Sequence, residues 1–303
     1  MLASVPSPAA ASAHSSTPSS PTVEFTDRSR VDITQPASVT QCLDSLKPWV
    51  VINATAYTAV DKAESDEAAA FAVNSTGVIV LAQACAARDI ALIHVSTDFV
   101  FDGNKTAPWL PTDNTSPLGV YGASKLAGEQ GMLATAELRG SIVRTSWLYS
   151  EYGNNFVKTM LRLMSERDAL GIVSDQIGVP TDALGLAQVL WLLAAQHIAA
   201  KSPASSSIAS APQIPREVYH WCDQGEISWF DFAAEIYHQA GVLGLLSNNT
   251  TLNAIGTSDY PTPARRPAYS VLNCTSLVQR LGKPQAPWQD NLQRVLVALA
   301  ASQ

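Results

Sequence analysis

Tyr121 and Lys125 stand four residues apart in the run Tyr121-Gly-Ala-Ser-Lys125. On a helix, positions i and i+4 share a face, so the phenol and the ammonium would enter one site. A cation beside a phenol favours the phenolate and lowers its pKa. Such a tyrosine can give a proton to a carbonyl oxygen while hydride arrives at the carbon. The bland alternative for the same spacing is a solvated helix face. A second constellation, Ser96-Thr97-Asp98, closes the apolar run Ile90–Ser96. Ligands of open α/β sheets gather beyond the carboxyl ends of strands, which places Thr97 and Asp98 to meet a substrate oxygen. Alone, the tripeptide reads equally as a turn or an Asx cap. Joined to Tyr121 and Lys125, it completes a set suited to carbonyl reduction.

Positioning these groups takes strands and helices in alternation. Trp49–Ala54, Ile90–Ser96 and Ser141–Trp147 have the apolar content of buried strands, and Val23–Thr26 is a further strand candidate. Pro36–Leu46, Glu67–Arg88, Tyr121–Ala134 and Asn155–Arg167 carry helical periodicity. Strands alternating with helices of this length predict an α/β fold, a doubly wound parallel sheet covered on both faces. Past Pro215, a Tyr219–Cys222 strand and helices over Trp229–Ala240 and Pro287–Ala301 predict a smaller C-terminal α/β lobe. The expected organisation is a low-complexity tail at 1–22, a cofactor-binding domain at 23–182, and a mainly substrate-binding part at 183–303. Ser, Ala and Pro supply 16 of the first 22 residues and eleven of the fifteen at 201–215, which reads as a disordered tail and an exposed loop.

Composition narrows the partners. A net charge of −7 over 303 residues argues against a broad nucleic-acid surface, which needs clustered Lys and Arg. The four cysteines form no CxxC pair and have no zinc-like His spacing, so they read as core residues in a reducing compartment. No run reaches 18 uninterrupted apolar residues, and no Lys or Arg precedes Arg28, so neither a membrane span nor a signal peptide is expected. The expected location is the cytoplasm.

Ordered motifs add a resemblance. Asn53-Ala-Thr-Ala-Tyr-Thr-Ala-Val-Asp-Lys-Ala-Glu64, Ser96-Thr-Asp-Phe-Val-Phe-Asp-Gly103 and Tyr121–Lys125 come first. Arg144-Thr-Ser-Trp-Leu-Tyr149, Gly153-Asn-Asn-Phe156, Asp175-Gln-Ile-Gly-Val-Pro-Thr181 and the segment Tyr260–Leu272 with Arg265-Arg266 follow. Together they resemble the dTDP-4-dehydrorhamnose reductase family of extended short-chain dehydrogenase/reductases, from about Val23 to the end. The resemblance implies a Rossmann-like fold and NADPH- or NADH-dependent reduction of dTDP-4-dehydro-β-L-rhamnose to dTDP-L-rhamnose. It implies Thr97, Tyr121 and Lys125 as the catalytic set, with Tyr121 as proton donor and Lys125 also on the nicotinamide ribose. Ala54, Thr55, Ala56 and Tyr57 resemble the turn along the cofactor, and Asn74 a cofactor-side helix position. Thr58, Val60, Asp98, Trp147 and Asn155 resemble substrate contacts, and Arg265 and Arg266 suit the diphosphate, where a planar fork fits phosphate oxygens. Phe99 stands where the family usually has tyrosine. Trp147 reads equally as core, and Asn154 is expected to cap the following helix while Asn155 touches ligand. The family also suggests a homodimer, sometimes with Mg2+.

One departure matters. A dinucleotide site normally opens with a strand and a Gly-rich turn into a helix, so that backbone N–H groups approach the pyrophosphate. The first glycine of this sequence is Gly77. The first strand and phosphate loop are therefore expected to be lost, leaving a neighbouring strand edge open. That loss favours the competing expectation, a non-catalytic binding protein resembling the regulatory β subunit of methionine adenosyltransferase.

Overall fold

The computed structural model describes residues 22–201, 217–247 and 249–302. The expected tail at 1–22 and the loop at 201–215 lie outside them, save Thr22 and Lys201. In chain order the first half runs α1 (Pro36–Leu46), β1 (Val50–Asn53), α2 (Val60–Ala63), α3 (Glu67–Phe71), α4 (Gly77–Ala86), β2 (Ala91–Thr97), α5 (Val120–Ala134), β3 (Gly140–Thr145) and β4 (Leu148–Tyr149). The second half runs α6 (Phe156–Glu166), β5 (Ala169–Val173), β6 (Ile177–Gly178), β7 (Thr181–Asp182), α7 (Ala183–Lys201), β8 (Glu217–His220), β9 (Ile227–Ser228), α8 (Trp229–Val242), β10 (Thr251–Ile255), α9 (Thr275–Leu281) and α10 (Trp288–Ala300).

The main sheet has the order β1-β2-β3-β8, all parallel. Side chains alternate across a strand, so consecutive residues of β2 serve opposite faces. Leu92 joins Val39, Leu43, Val78, Leu81 and Met132 beneath α1, α4 and α5. Ile93 joins Val143, Leu186, Leu190 and Leu193 beneath α7 and α9. Both faces are covered, as a doubly wound sheet requires. Helices Glu67–Ala86 and Ala183–Lys201 are long and apolar enough to cross a membrane by length and composition. Here their apolar residues line these two core layers.

A second core lies between α6, α8, α10 and the β5–β10 pair, around Met160, Met164, Phe232, Ile236, Leu292 and Leu296. This smaller α/β lobe takes α6 and β5 from before residue 183 and α8, β10 and α10 from after it. Two expectations are corrected here. Residues 23–26 form no strand, and Val23 and Phe25 stand 42% and 55% exposed, because no sheet edge reaches them. The strand around Tyr219 belongs to the main sheet, with Val143 opposite Tyr219, and not to the smaller lobe. Among the described residues, β8 is one edge of that sheet and β1 the opposite edge, with no strand on its outer side.

Candidate active site

The site sits where β1 and β2 end and α5 begins. Helix α5 starts at Gly119, which has no side chain to cap it; Glu64, at the end of α2, instead accepts from the Val120 N–H at 2.8 Å. Gly122 then lets the helix settle on the turn after β2, since a Cβ there would overlap the Phe99 carbonyl oxygen. This close approach brings Tyr121 beside that turn, with its ring edge-on to Phe99 at 5.5 Å. The Thr97 side chain hydrogen-bonds the Tyr121 phenol, and Lys125, one turn further along α5, reaches β2 at the Val95 carbonyl.

Their electrostatics differ from the simple expectation. Burial pushes the Tyr121 phenol up to about 12, against a hydrogen bond with the Thr97 side chain, and the Asp98 carboxyl adds to the rise. The predicted lowering by Lys125 is absent, because the Lys125 amine is turned inward. It donates to the Val95 carbonyl at 2.7 Å and lies 3.2 Å from His94 Nε2. Burial brings Lys125 down to about 8, with the Glu129 carboxylate opposing the fall. Glu129 is itself clamped by the Arg144 guanidinium at 2.6 Å, a buried pair that ties α5 to β3. Removing one partner of such a pair costs about 3–5 kcal/mol. Asp98 is buried and accepts from the Thr97 hydroxyl at 3.0 Å, and burial raises its carboxyl to about 6. Its place behind Thr97 makes it a support of the site.

The turn expected to run along a cofactor leaves β1 at the sheet's carboxyl end. Ala54 and Thr55 are exposed there, and Ala56 and Tyr57 are partly so. Asn74 reaches this turn from a single π turn, Ala72–Thr76, inside the Glu67–Ala86 helix. Such one-turn widenings recur at functional sites. The Asn74 side chain accepts from the Tyr57 N–H at 2.8 Å and donates to the Tyr57 carbonyl and to Ser124 Oγ. Its polar atoms are spent inside the protein, so Asn74 fixes the turn; the direct cofactor contact expected of it is not what this geometry offers.

The remaining residues form a looser rim. Thr58 is exposed and Val60 partly buried at the start of α2. Arg265 is exposed, whereas the Arg266 guanidinium grips both oxygens of Asp61, at 3.0 and 2.7 Å, and closes the 260–268 segment over α2. Trp147 has a left-handed backbone, φ 44°, and stacks on Trp229 with ring centroids 3.5 Å apart. It is half core, half surface. Asn155 is the cap of α6, accepting from the Lys158 N–H at 3.2 Å and donating to Ser150 O at 2.7 Å, while Asn154 is exposed; the cap expected of Asn154 falls to Asn155.

Sequence reasoning passed over His94 and Glu64. The signal for His94 was a basic ring inside the apolar run IALIHVS; Glu64 gave none, since its partner lies 56 residues on. Tyr121 and the exposed Ala54–Thr55 turn leave room for the nicotinamide-ribose end of a dinucleotide, whereas the buried Lys125 amine is bonded inward to Val95 and lies against His94. The pyrophosphate end has no such fit, for no glycine-rich strand-to-helix turn occurs among the described residues. Nor do these residues hold three or more metal-ligating side chains in one place.

Comparison with known proteins agrees with the geometry. The pattern of the RmlD substrate binding domain matches residues 11–301. The chain is 44% identical over 269 residues to a dTDP-4-dehydrorhamnose reductase of Aggregatibacter actinomycetemcomitans, covering 89% of this chain and 87% of that protein. It is 40% identical to the Escherichia coli K12 protein of the same name, over 88% of this chain and 84% of that one. A Clostridium acetobutylicum dTDP-4-dehydrorhamnose reductase superposes with a TM-score of 0.79 at 33% identity, over 90% of this chain and 89% of that one. A Bacillus anthracis reductase in complex with NADP does so with a TM-score of 0.75, again at 33% identity, with the same coverage. The chain belongs to the dTDP-4-dehydrorhamnose reductase family.

Proposed function

We propose that this protein reduces dTDP-4-dehydro-β-L-rhamnose to dTDP-L-rhamnose with NADPH or NADH, in the cytoplasm. The observation that carries the reading is the convergence of Thr97, Tyr121 and Lys125 at the end of β2, with the Tyr121 phenol still protonated at neutral pH. A nicotinamide supplies hydride to C4 of the sugar. Tyr121 gives its phenolic proton to the C4 oxygen, and Thr97 holds that oxygen by a hydrogen bond. Lys125 binds the nicotinamide ribose and stabilises the phenolate left behind. Trp147 and the Thr58–Val60 turn flank the hexose, and Arg265 with Arg266 faces the diphosphate.

The competing reading, a binding protein without turnover, is favoured by one feature, the lack of a glycine-rich turn ahead of β1. Mixing the purified protein with NADPH and dTDP-4-dehydro-β-L-rhamnose separates the two. Loss of nicotinamide absorbance in proportion to dTDP-L-rhamnose formed supports the reductase. Saturable sugar-nucleotide binding without such loss supports the alternative.

A further inference from the structure

Behind Lys125 lies a buried chain of polar contacts that the reaction described above does not use. It begins at a backbone group with only one possible role. The Thr55 N–H can only donate, and it points at Asn53 Oδ1 at 3.0 Å. That contact fixes the amide, so the donor Nδ2 faces His94 Nδ1, 3.1 Å away. His94 is fully buried, and burial holds its pKa well below the ordinary 6.5, so the ring is neutral. A neutral imidazole that accepts at Nδ1 carries its hydrogen on Nε2. His94 Nε2 lies 3.2 Å from the Lys125 amine, which also donates to the Val95 carbonyl.

We propose that His94 is a positioning residue that presents an N–H, and not a lone pair, to Lys125, and that the Thr55 N–H sets this polarity through Asn53. An ammonium has three donors and no acceptor, so it meets a second donor badly. A neutral amine keeps one lone pair for the His94 N–H while still donating to Val95. As the pH rises through about 8 the site then comes to hold a phenol and an amine, two neutral groups, in place of a phenolate–ammonium pair. This deepens the reductase reading and takes its functional meaning from it. Tyr121 enters the cycle with its proton in place, and Lys125 acquires charge once it leaves His94 for an accepting partner such as a ribose hydroxyl.

The groups around Lys125 are few. Its own helix brings Tyr121 and Glu129, the latter paired with Arg144 of β3. Strand β2 brings His94, and the turn after it brings Asp98. Glu64 of α2 is engaged at the Val120 N–H, Asp66 before α3 takes the Tyr57 hydroxyl, and Glu67 lies exposed on α3. The π turn carries no ionisable side chain and α4 only Cys85. The Asn53 backbone carbonyl also competes for a ring N–H and pulls towards a protonated ring. A neutral ring turned to that carbonyl would show the opposite tautomer.

The test needs neither cofactor nor substrate, so it stands apart from the success of the reductase reading. Nitrogen-15 NMR of histidine-labelled protein reports the tautomer of each of the five histidines. His94 is assigned by its loss in His94→Gln or, should that variant not fold, by eliminating the others one at a time. The expected result is hydrogen on Nε2 and a bare Nδ1 from pH 6 to 9. Carbon-13 lysine labelling should place the Lys125 midpoint at about 8 or below, against an ordinary 10.5. In His94→Gln the amide is free to turn its oxygen towards the amine. The Lys125 midpoint should then rise by about one pH unit, a tenfold change in proton affinity. His94→Met, of similar bulk but without a polar atom, should not raise it. The alkaline limb of the kcat pH profile should follow the same order. Hydrogen on Nδ1 in the unaltered protein, or a Lys125 midpoint equal in the Gln and Met variants, overturns the proposal.

Discussion

Two halves of the site are built differently. Around Tyr121, nearly every polar atom is already bonded within the protein: Thr97 to Asp98, Lys125 to Val95, Asn74 to Tyr57 and Ser124, and Glu129 to Arg144. Around the sugar-nucleotide rim, Thr58 and Arg265 are exposed, and Arg266 is held by Asp61 in a latch that solvent reaches. The first half is preorganised by burial, where a low dielectric strengthens each contact. The second is a surface whose groups gain partners from the ligand. Changes in the first half should therefore alter the chemical step, and changes in the second should alter affinity.

The largest effect is expected from Tyr121→Phe. It removes the proton donor and keeps the ring against Phe99, so kcat should fall by about 10²–10⁴-fold with KM little changed. Steady-state kinetics with circular dichroism as a fold control checks this. Next comes Arg266→Ala, which should raise KM for the sugar nucleotide by about tenfold, or ~1.4 kcal/mol, and leave kcat within about twofold. A fall in kcat alone would break the division between the halves. Gly178→Ala should act more gently. A Cβ there would press into the Trp147 indole, so the ring must shift on Trp229, and KM should rise by about threefold, ~0.7 kcal/mol.

The smallest effects concern pH and stability, and they run in opposite directions. Asp98 has a folded pKa raised to about 6 from 3.8. Its contribution is fully present below the unfolded value and is lost as pH rises through about 6. Asp98→Asn should therefore flatten the decline in melting temperature between pH 4 and 6. Asp61 is held low by its hydrogen bond with Arg266, so its contribution is present above 3.8 and lost as the pH falls through the depressed value. Asp61→Asn should weaken the protein slightly at neutral pH, with the difference vanishing in acid. Thermal melts across pH 3 to 8 read both.

The same division governs what could be read from residues alone. Tyr121 and Lys125 were legible because the i, i+4 spacing is local, and the parallel sheet because apolar strands alternate with helices. The strand around Tyr219 was assigned to the wrong unit, since its partner, β3, lies more than seventy residues earlier and no local signal reports pairing. Asn155 was misassigned because Asn154 and Asn155 both suit an N-cap, and only the backbone path at Ser150 decides between them. The raised phenol of Tyr121 was missed for a further reason. Its cause is burial of the phenol, with the Asp98 carboxyl adding to the rise, and burial depends on tertiary packing that no local spacing reports. The departure ahead of β1, by contrast, was plain from the position of the first glycine, and β1 is a sheet edge among the described residues.

The central claim is that Tyr121, kept as a phenol in a preorganised pocket, protonates the C4 oxygen as hydride arrives. Single-turnover NADPH oxidation with dTDP-4-dehydro-β-L-rhamnose, compared between the unaltered protein and Tyr121→Phe, tests it most directly. The account predicts a rapid absorbance loss in the unaltered protein and one at least about a hundredfold slower in the variant, with both ligands still bound. Equal rates in the two proteins, or bound ligands and no oxidation in either, would contradict it.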